Sequence, residues 1–116
     1  MSKKILVVDD QIVILTIIKK LLESAGFTVI TTTDGTQVKQ LLVKEKPDII
    51  ILDIMMPNKD GIENIRELRE IDTAVIIVAV SSNRVYLDYA EKFGANYSYQ
   101  KPIMGSDFIH LITSIT

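Results

Sequence analysis

The sequence contains no cysteine, which excludes disulfide bonds and metal sites built on thiolates. It also lacks an excess of positive charge: the net charge is −2 and the isoelectric point is near 5.3, which argues against a direct nucleic-acid-binding surface. Long apolar runs are missing as well, because the first run, residues 5–8, is too short for a signal-peptide core or a membrane span. We therefore expect a cytoplasmic protein with neither a membrane nor a nucleic acid as its partner.

What the chain does contain is enough apolar material for a folded core. Apolar residues make up 47% of its 116 residues, too large a share for a disordered chain. The length suits one compact domain and is too short for two. We see no internal repeat and no linker, so we expect a single domain over residues 1–116.

Short β-branched apolar runs alternate with segments of helical period, a pattern typical of βα units around a parallel sheet. Runs that are apolar at every position predict central strands covered on both faces, and more mixed runs predict edge strands. The central runs are Ile5–Val8, Ile49–Leu52 and Val75–Val80, and the edge runs are Phe27–Thr32 and Tyr97–Gln100. This division fits an α/β, flavodoxin-like doubly wound (βα)5 fold with a five-stranded parallel sheet, in the known order 2-1-3-4-5.

Five helices are predicted between these strands. Their expected spans are Gln11–Ala25, Thr36–Glu45, Ile62–Ile71, Arg84–Phe93 and Asp107–Ile115. Apolar residues at helical spacing predict the inward faces. These residues are Ile14, Ile18, Leu21, Leu22 and Ala25 in the first helix, Val38, Leu41 and Leu42 in the second, Ile62, Ile65, Leu68 and Ile71 in the third, and Phe108, Ile112 and Ile115 in the fifth.

Carboxylates follow two strands that this order makes neighbours. Asp9 and Asp10 end the first strand and Asp53 ends the third, at the edge where open α/β sheets bind ligands. Three carboxylates in close contact repel one another, and a divalent cation relieves the repulsion. Oxygen ligands favour Mg²⁺, which needs few protein carboxylates. With the metal bound, one carboxylate could attack phosphorus, while Lys101 stabilises charge on the phosphoryl oxygens and a hydroxyl at Ser81 bonds to them.

Three motifs, in order and each at the end of a predicted strand, resemble those of the response-regulator receiver family over the whole chain. Asp9-Asp10 is similar to the family's acidic metal pair. Residues 53–61, with the sequence DIMMPNKDG, are similar to its D-x-x-M-P-x-x-x-G phosphoacceptor loop. Gly94-Ala95 followed by Lys101-Pro102 is similar to its G-A-x-x-x-x-x-K-P ending. Each motif alone is weak, but together they are specific.

The resemblance implies a phosphorylation-dependent signalling switch with little catalysis beyond its own phosphorylation and slow dephosphorylation. Asp53 would accept a phosphoryl group from a sensor histidine kinase or a histidine phosphotransfer protein. Asp10, with Asp9 in support, would bind Mg²⁺ together with Asp53 and the Met55 carbonyl. Lys101 would pair with the phosphoryl group, and Ser81 would be the switch hydroxyl. The face of helix four, strand five and helix five would then bind a downstream effector, or a second copy in a homodimer.

Two departures from the family pattern bear on this switch. The family usually has Tyr or Phe three residues before the lysine, whereas this chain has Ser98 between Tyr97 and Tyr99. The segment from Ser81 to Gly94 is also shorter here by about two residues than is usual in the family. Either Ser81 or Ser82 could therefore be the switch hydroxyl, and we favour Ser81. The resemblance further implies a cis peptide bond between Lys101 and Pro102. Only about 5–6% of X–Pro bonds in folded proteins are cis, so this expectation depends on the family.

Other interpretations of these residues are open. Asp10 could cap the first helix, and Ser81 or Ser82 could cap the fourth. The tyrosines between residues 86 and 99 could pack between helix four and strand five, or form a partner or dimer surface. A degenerate receiver used only for docking and an Asp-nucleophile phosphatase are competing functions. The phosphatase would require a D-x-D arrangement, and a flavin carrier would require a phosphate-binding loop where Asp9-Asp10-Gln11 stands.

Overall fold

The computed structural model describes residues 3–116 and contains one five-stranded parallel sheet with helices on both faces. The strands are β1 (Lys4–Val8), β2 (Thr28–Thr32), β3 (Ile49–Asp53), β4 (Ile76–Ser81) and β5 (Tyr97–Gln100). The helices are α1 (Ile12–Ser24), α2 (Val38–Glu45), α3 (Gly61–Ile71), α4 (Arg84–Phe93) and α5 (Gly105–Ser114). A short 3₁₀ helix, Gly35–Gln37, precedes α2.

The strand order is β2-β1-β3-β4-β5 with every pair parallel, so the predicted topology is confirmed. β1, β3 and β4 lie inside the sheet and are buried almost throughout, since helices cover both of their faces. β2 and β5 lie at the edges and keep partly exposed side chains. The division between uniformly apolar and mixed runs therefore located the central and edge strands correctly.

Two apolar clusters form the core, one on each face of the sheet. On one face α1 and α5 contribute Leu15, Ile18, Leu22, Phe108 and Ile112. On the other face α2, α3 and α4 contribute Val38, Leu42, Ile65, Leu68, Leu87 and Ala90. Burial of these side chains is the dominant favourable term that holds the helices on the sheet. No helix in residues 3–116 is long and apolar enough to span a membrane.

Two predicted core residues were wrong, and both lie at a helix end. Ala25 is exposed because α1 ends at Ser24 and the chain turns away through Gly26, whose φ is +97°. Ile71 is the last residue of α3 and is 46% exposed. Helical spacing correctly described the middle of each helix, but it could not show where the helix leaves the sheet.

The helix boundaries differ from prediction by a few residues. α5 begins at Gly105, two residues earlier than predicted, and its N-cap residue is Met104. The Tyr99 hydroxyl accepts a hydrogen bond from the Met104 backbone N–H at 3.1 Å. Residues 35–37 form the 3₁₀ turn before α2, and Asp34 caps it by accepting from the Thr36 N–H.

Candidate functional site

The carboxylates predicted to meet at the end of the sheet do meet there. β1 and β3 are paired with Val8 opposite Leu52, so the residues that follow each strand emerge side by side. One carboxylate oxygen from each of Asp9, Asp10 and Asp53 lies within 4.8 Å of the others. The parallel pairing thus joins residues that are more than 40 positions apart in sequence into one acidic cleft.

Lys101 reaches the same cleft from the other side of β3. Its Nζ lies 3.2 Å from Asp9 Oδ2 and 3.4 Å from Asp53 Oδ2. Its backbone N–H donates to the Ser81 carbonyl at 2.9 Å, which ties the end of β5 to the end of β4. A cis peptide bond joins Lys101 to Pro102, as the resemblance implied. One ammonium group therefore faces two buried carboxylates.

Asp9 and Asp53 are held in the same way by the chain that follows each of them. The Gln11 N–H donates to Asp9 Oδ1 at 2.9 Å, and the Met55 N–H donates to Asp53 Oδ1 at 3.2 Å. Both aspartates are nearly buried, at 2% and 4% exposure. In each case one carboxylate oxygen is fixed by the backbone two residues ahead, and Oδ2 faces Lys101.

Asp10 is exposed at the rim of the cleft, and the alternative that it caps α1 is wrong. The N-cap of α1 is Gln11, which makes no side-chain capping bond. The cap interpretation for Ser81 and Ser82 is wrong as well, because Asn83 caps α4 by accepting from the Val85 N–H. Ser81 is buried, and its Oγ accepts a hydrogen bond from the Asn83 N–H at 3.1 Å.

Burial and charge act on the protonation of this cleft. Burial, and next the neighbouring Asp9 carboxylate, raise the pKa of Asp53 to about 6 against the opposing effect of Lys101. Burial lowers the pKa of Lys101, but the attraction of Asp53 and Asp9 outweighs it, so this pKa lies above its ordinary value. The cleft therefore carries more negative charge than its own lysine can neutralise.

The composition of the cleft fits a hard divalent cation. Its three clustered aspartates each offer a carboxylate oxygen, the ligand type that Mg²⁺ prefers. The raised pKa of Asp53 shows that the ionised cleft is destabilised without an added positive charge. Asp9, Asp10 and Asp53 are thus the residues that could hold the ion, and the Met55 backbone follows Asp53 closely enough to border it.

The four tyrosines lie in two different environments. Tyr99 is packed edge-to-face on Phe108, with ring centroids 5.1 Å apart. Tyr86, Tyr89 and Tyr97 are 39–50% exposed. The predicted packing between α4 and β5 is therefore wrong for Tyr99, whose ring packs on α5. A partner surface formed by the three exposed rings stays a prediction. The contact of Tyr99 with the loop at Met104 has no local sequence motif.

Ser98 makes a contact that the sequence did not suggest. Its hydroxyl donates to Glu91 Oε2 of α4 at 2.7 Å, so β5 and α4 are joined by a hydrogen bond at the position where an aromatic side chain was expected. His110 is exposed on α5.

An acidic cleft with one lysine, at the carboxyl end of a doubly wound sheet of order 2-1-3-4-5, defines the chemotaxis-type class of flavodoxin-like signalling domains. The model of the response regulator receiver domain matches residues 5–113, and the chain belongs to that family. It is accordingly a receiver domain of two-component signalling.

Individual relatives agree with this assignment. The transcriptional regulatory protein CpxR of Klebsiella pneumoniae is 34% identical over 97% of this chain and 48% of its own length. The chemotaxis protein CheY4 of Vibrio cholerae is 24% identical over the whole of both chains, with a TM-score of 0.92, which supports the fold alone. The receiver domain of a sensor histidine kinase from Pseudomonas aeruginosa is 27% identical over 98% of this chain and 97% of that one, with a TM-score of 0.88.

That last structure is described with a magnesium ion coordinated in its active-site cleft. The chain spans less than half the length of the curated regulators it matches.

Proposed function

We propose that this chain is a phosphorylation-dependent switch that accepts a phosphoryl group on Asp53. One observation carries the proposal: the ammonium of Lys101 lies within 3.4 Å of carboxylate oxygens of both Asp9 and Asp53, inside a cleft of three clustered carboxylates. A structural ion pair would need one carboxylate, and burying a second carboxylate that must share the same lysine is costly. A site that receives a cation and an anionic phosphoryl group accounts for the surplus.

Mg²⁺ would be held by carboxylate oxygens of Asp9, Asp10 and Asp53 and by the backbone carbonyl of Met55. When bound, the ion would supply positive charge that neutralises the cleft and attracts phosphoryl oxygens. The exposure of Asp10 at the rim suits a ligand that meets the ion from the solvent side. The raised pKa of Asp53 supports the need for such a charge.

In the chemical step, an Oδ atom of Asp53 forms a bond to phosphorus as the bond between phosphorus and the donor group breaks. The donor leaves with that electron pair, as histidine from a phosphohistidine or as acetate from acetyl phosphate. Lys101 would stabilise the negative charge on the phosphoryl oxygens during transfer, because its Nζ already faces the acceptor. The donor would be a sensor histidine kinase or a histidine phosphotransfer protein.

Ser81 would report the phosphoryl group to the rest of the domain. It ends β4, one residue beyond the position paired with Asp53, and its carbonyl holds the Lys101 N–H. A hydroxyl can donate and accept at the same time, so a hydrogen bond from Ser81 Oγ to a phosphoryl oxygen would link that group, through the bond that Oγ accepts from the Asn83 N–H, to the start of α4. Ser82 is exposed and is the alternative hydroxyl if Ser81 stays in place.

Output would pass through the face formed by α4, β5 and α5. Val85, Tyr89 and Tyr97 expose 40–59% of their surface there, which suits a downstream effector or a second copy of the chain. The Ser98–Glu91 hydrogen bond lies in this face and would couple β5 to α4 in place of an aromatic side chain. Residues 1–116 would act as the receiver unit, in the cytoplasm.

Incubation with acetyl phosphate and Mg²⁺ tests the acceptor. Intact mass should increase by one phosphoryl group in the wild type and in Asp107→Asn, which alters an exposed aspartate on α5, but not in Asp53→Asn. Chelation of Mg²⁺ should abolish the increase. Persistence of the same mass increase in Asp53→Asn would refute the assignment of the acceptor.

Beryllofluoride, a phosphoryl mimic, tests the switch separately from the acceptor. With Mg²⁺ it should shift the amide resonances of Ser81, Asn83 and Lys101, and those of α4 should follow. Shifts confined to Asp53 and its neighbours would mean that the site binds phosphoryl groups without changing the output face.

A further inference from the structure

An ion pair outside the cleft fixes the loop that follows the phosphoacceptor. Lys59 Nζ lies 2.7 Å from Glu67 Oε2, with the two side chains only 16% and 31% exposed. The hydrogen bond from Lys59 lowers the pKa of Glu67, which favours the ionised carboxylate. By contrast, the Arg84–Asp88 pair is 3.5 Å long and more than half exposed, as surface pairs of little energetic consequence usually are.

Lys59 belongs to the loop of residues 54–60, which joins β3 to α3. The first part of this loop is anchored on the sheet, because the Ile54 N–H donates to the Val80 carbonyl at 3.0 Å. Its end is anchored on α3, where Asp60 caps the helix through the Glu63 N–H at 2.8 Å. The Gly61 N–H closes the loop on the Ile54 carbonyl at 2.9 Å.

The backbone at Lys59 also presses against the turn before α2. A Cβ atom added to Gly35 would lie 2.8 Å from the Lys59 carbonyl oxygen and 3.2 Å from Asn64 Nδ2, so only glycine fits there without displacement. Lys59 is thereby held on two sides, by Glu67 through its side chain and by the Gly35 turn through its backbone. These contacts fix the position of Lys59, four residues beyond Met55 in the same loop.

We infer that Lys59, through its ion pair with Glu67, is a positioning residue that sets the Met55 carbonyl for the divalent cation. This inference rests on the proposed function, in which that carbonyl is a metal ligand. A backbone carbonyl has no side-chain torsions of its own, so only the conformation of its loop can aim it. Mg²⁺ is demanding in this respect, because it requires near-octahedral geometry.

An effect of the charges alone and an effect on the position of the loop predict different changes in cation binding, so the two can be told apart. Removing the positive charge of Lys59 should strengthen cation binding if Lys59 acts only through its electric field. Removing the negative charge of Glu67 should weaken it. If the pair positions the loop, Lys59→Met and Glu67→Gln both weaken Mg²⁺ binding, because either change breaks the same contact.

The experiment is an NMR titration with Mg²⁺ in the absence of any phosphodonor, following the amides of Asp10 and Met55. We expect the dissociation constant to rise by about tenfold in Lys59→Met and in Glu67→Gln, the lower end of the usual effect of removing a residue that orients metal ligands. Lys59→Arg should restore binding, since its guanidinium can pair with Glu67. Glu70→Gln, an exposed change on the same helix, is the matched control and should bind as the wild type does.

Each outcome decides for or against this inference. Unchanged or tighter binding in Lys59→Met, or weak binding in Lys59→Arg, overturns it, and urea unfolding of each variant identifies any loss that comes from unfolding. Glu67→Gln leaves the lysine in place and decides the question if Lys59→Met does not fold. Phosphorylation of the wild type is measured apart: its failure alongside the expected Mg²⁺ affinities would refute the proposed acceptor and leave the positioning role intact.

Discussion

The charge arrangement in the cleft predicts that replacing Asp53, the proposed phosphoacceptor, makes the metal-free protein more stable at neutral pH. Asp53→Asn keeps the shape of the side chain and removes its charge. The ionised carboxylate is buried and repelled by Asp9, and the contact with Lys101 only partly compensates. We therefore expect the free energy of unfolding to rise in the variant, against the usual outcome of a change at a buried polar position.

The size of the effect follows from the pKa of Asp53. A pKa of about 6 in place of 3.8 corresponds to roughly 3 kcal/mol of unfavourable free energy for the ionised form in the folded state. Asparagine removes this cost but also weakens the contact with Lys101, so we expect a gain of about 1–3 kcal/mol near neutral pH. Mg²⁺ should reduce the difference, because binding to the wild type alone at 100 times its dissociation constant would add about 2.7 kcal/mol.

The sign of the pH dependence is fixed by the direction of the shift. Because the folded-state pKa of Asp53 is raised, the folded wild type takes up a proton before the unfolded chain does as the pH falls. The wild type should accordingly gain stability relative to Asp53→Asn as the pH falls from about 6 towards 3.8, and the difference should nearly vanish only when the pH lies well below 3.8.

Urea unfolding with a chelator present, at a series of pH values across this range, measures the difference directly. Glu70→Gln serves as a control for the removal of an exposed carboxylate, and should show no comparable gain. The reasoning is refuted if Asp53→Asn is no more stable than the wild type at neutral pH. A gain of constant size at every pH would also contradict it, since the cause would then be packing and not ionisation.

Three further substitutions test contacts elsewhere in the fold. Asn64→Leu should raise the free energy of unfolding by about 1–2 kcal/mol, because Asn64 Nδ2 is buried without a hydrogen-bond partner within residues 3–116, and a lower thermal midpoint would contradict this. Gly94→Ala should lower it by about 1–3 kcal/mol, since φ is +131° and the new Cβ would lie 2.7 Å from Arg69 Cγ; unchanged urea unfolding would show that the loop relaxes freely. Tyr99→Phe should lower it by about 1 kcal/mol and shift the Met104 amide resonance, whereas Tyr97→Phe on the same strand should do neither.

Much of the architecture could be predicted because local pattern and burial agree in this chain. Strands covered on both faces must be apolar at every position, and β1, β3 and β4 are. Strand order then brings the ends of β1 and β3 together, so the proximity of Asp9, Asp10 and Asp53 followed from topology alone. The motif at Lys101-Pro102 led to a lysine that does face the cleft.

The contacts that depend on tertiary packing were not predictable in the same way. The N-caps of α1 and α4 are Gln11 and Asn83 and not the predicted Asp10 and Ser81 or Ser82. Asp9 and Ser81 instead accept hydrogen bonds from the backbone N–H groups of Gln11 and Asn83. Exposure of Ile71 depended on where the last turn of α3 leaves the sheet.

The sequence by itself determined the five strands, which of them are central, and the three acidic positions, since these depend on hydrophobic pattern and on the direction of parallel strands. The strand order was the known one that fits this division. Only the tertiary structure decided three contacts. Lys101 is shared by two carboxylates, the Ser98 hydroxyl donates a hydrogen bond to Glu91, and Lys59 forms an ion pair with Glu67. Such pairs join distant parts of the chain through side-chain direction and burial. Neither property has a local period, so the pairs emerge only when the helices and the sheet are packed together.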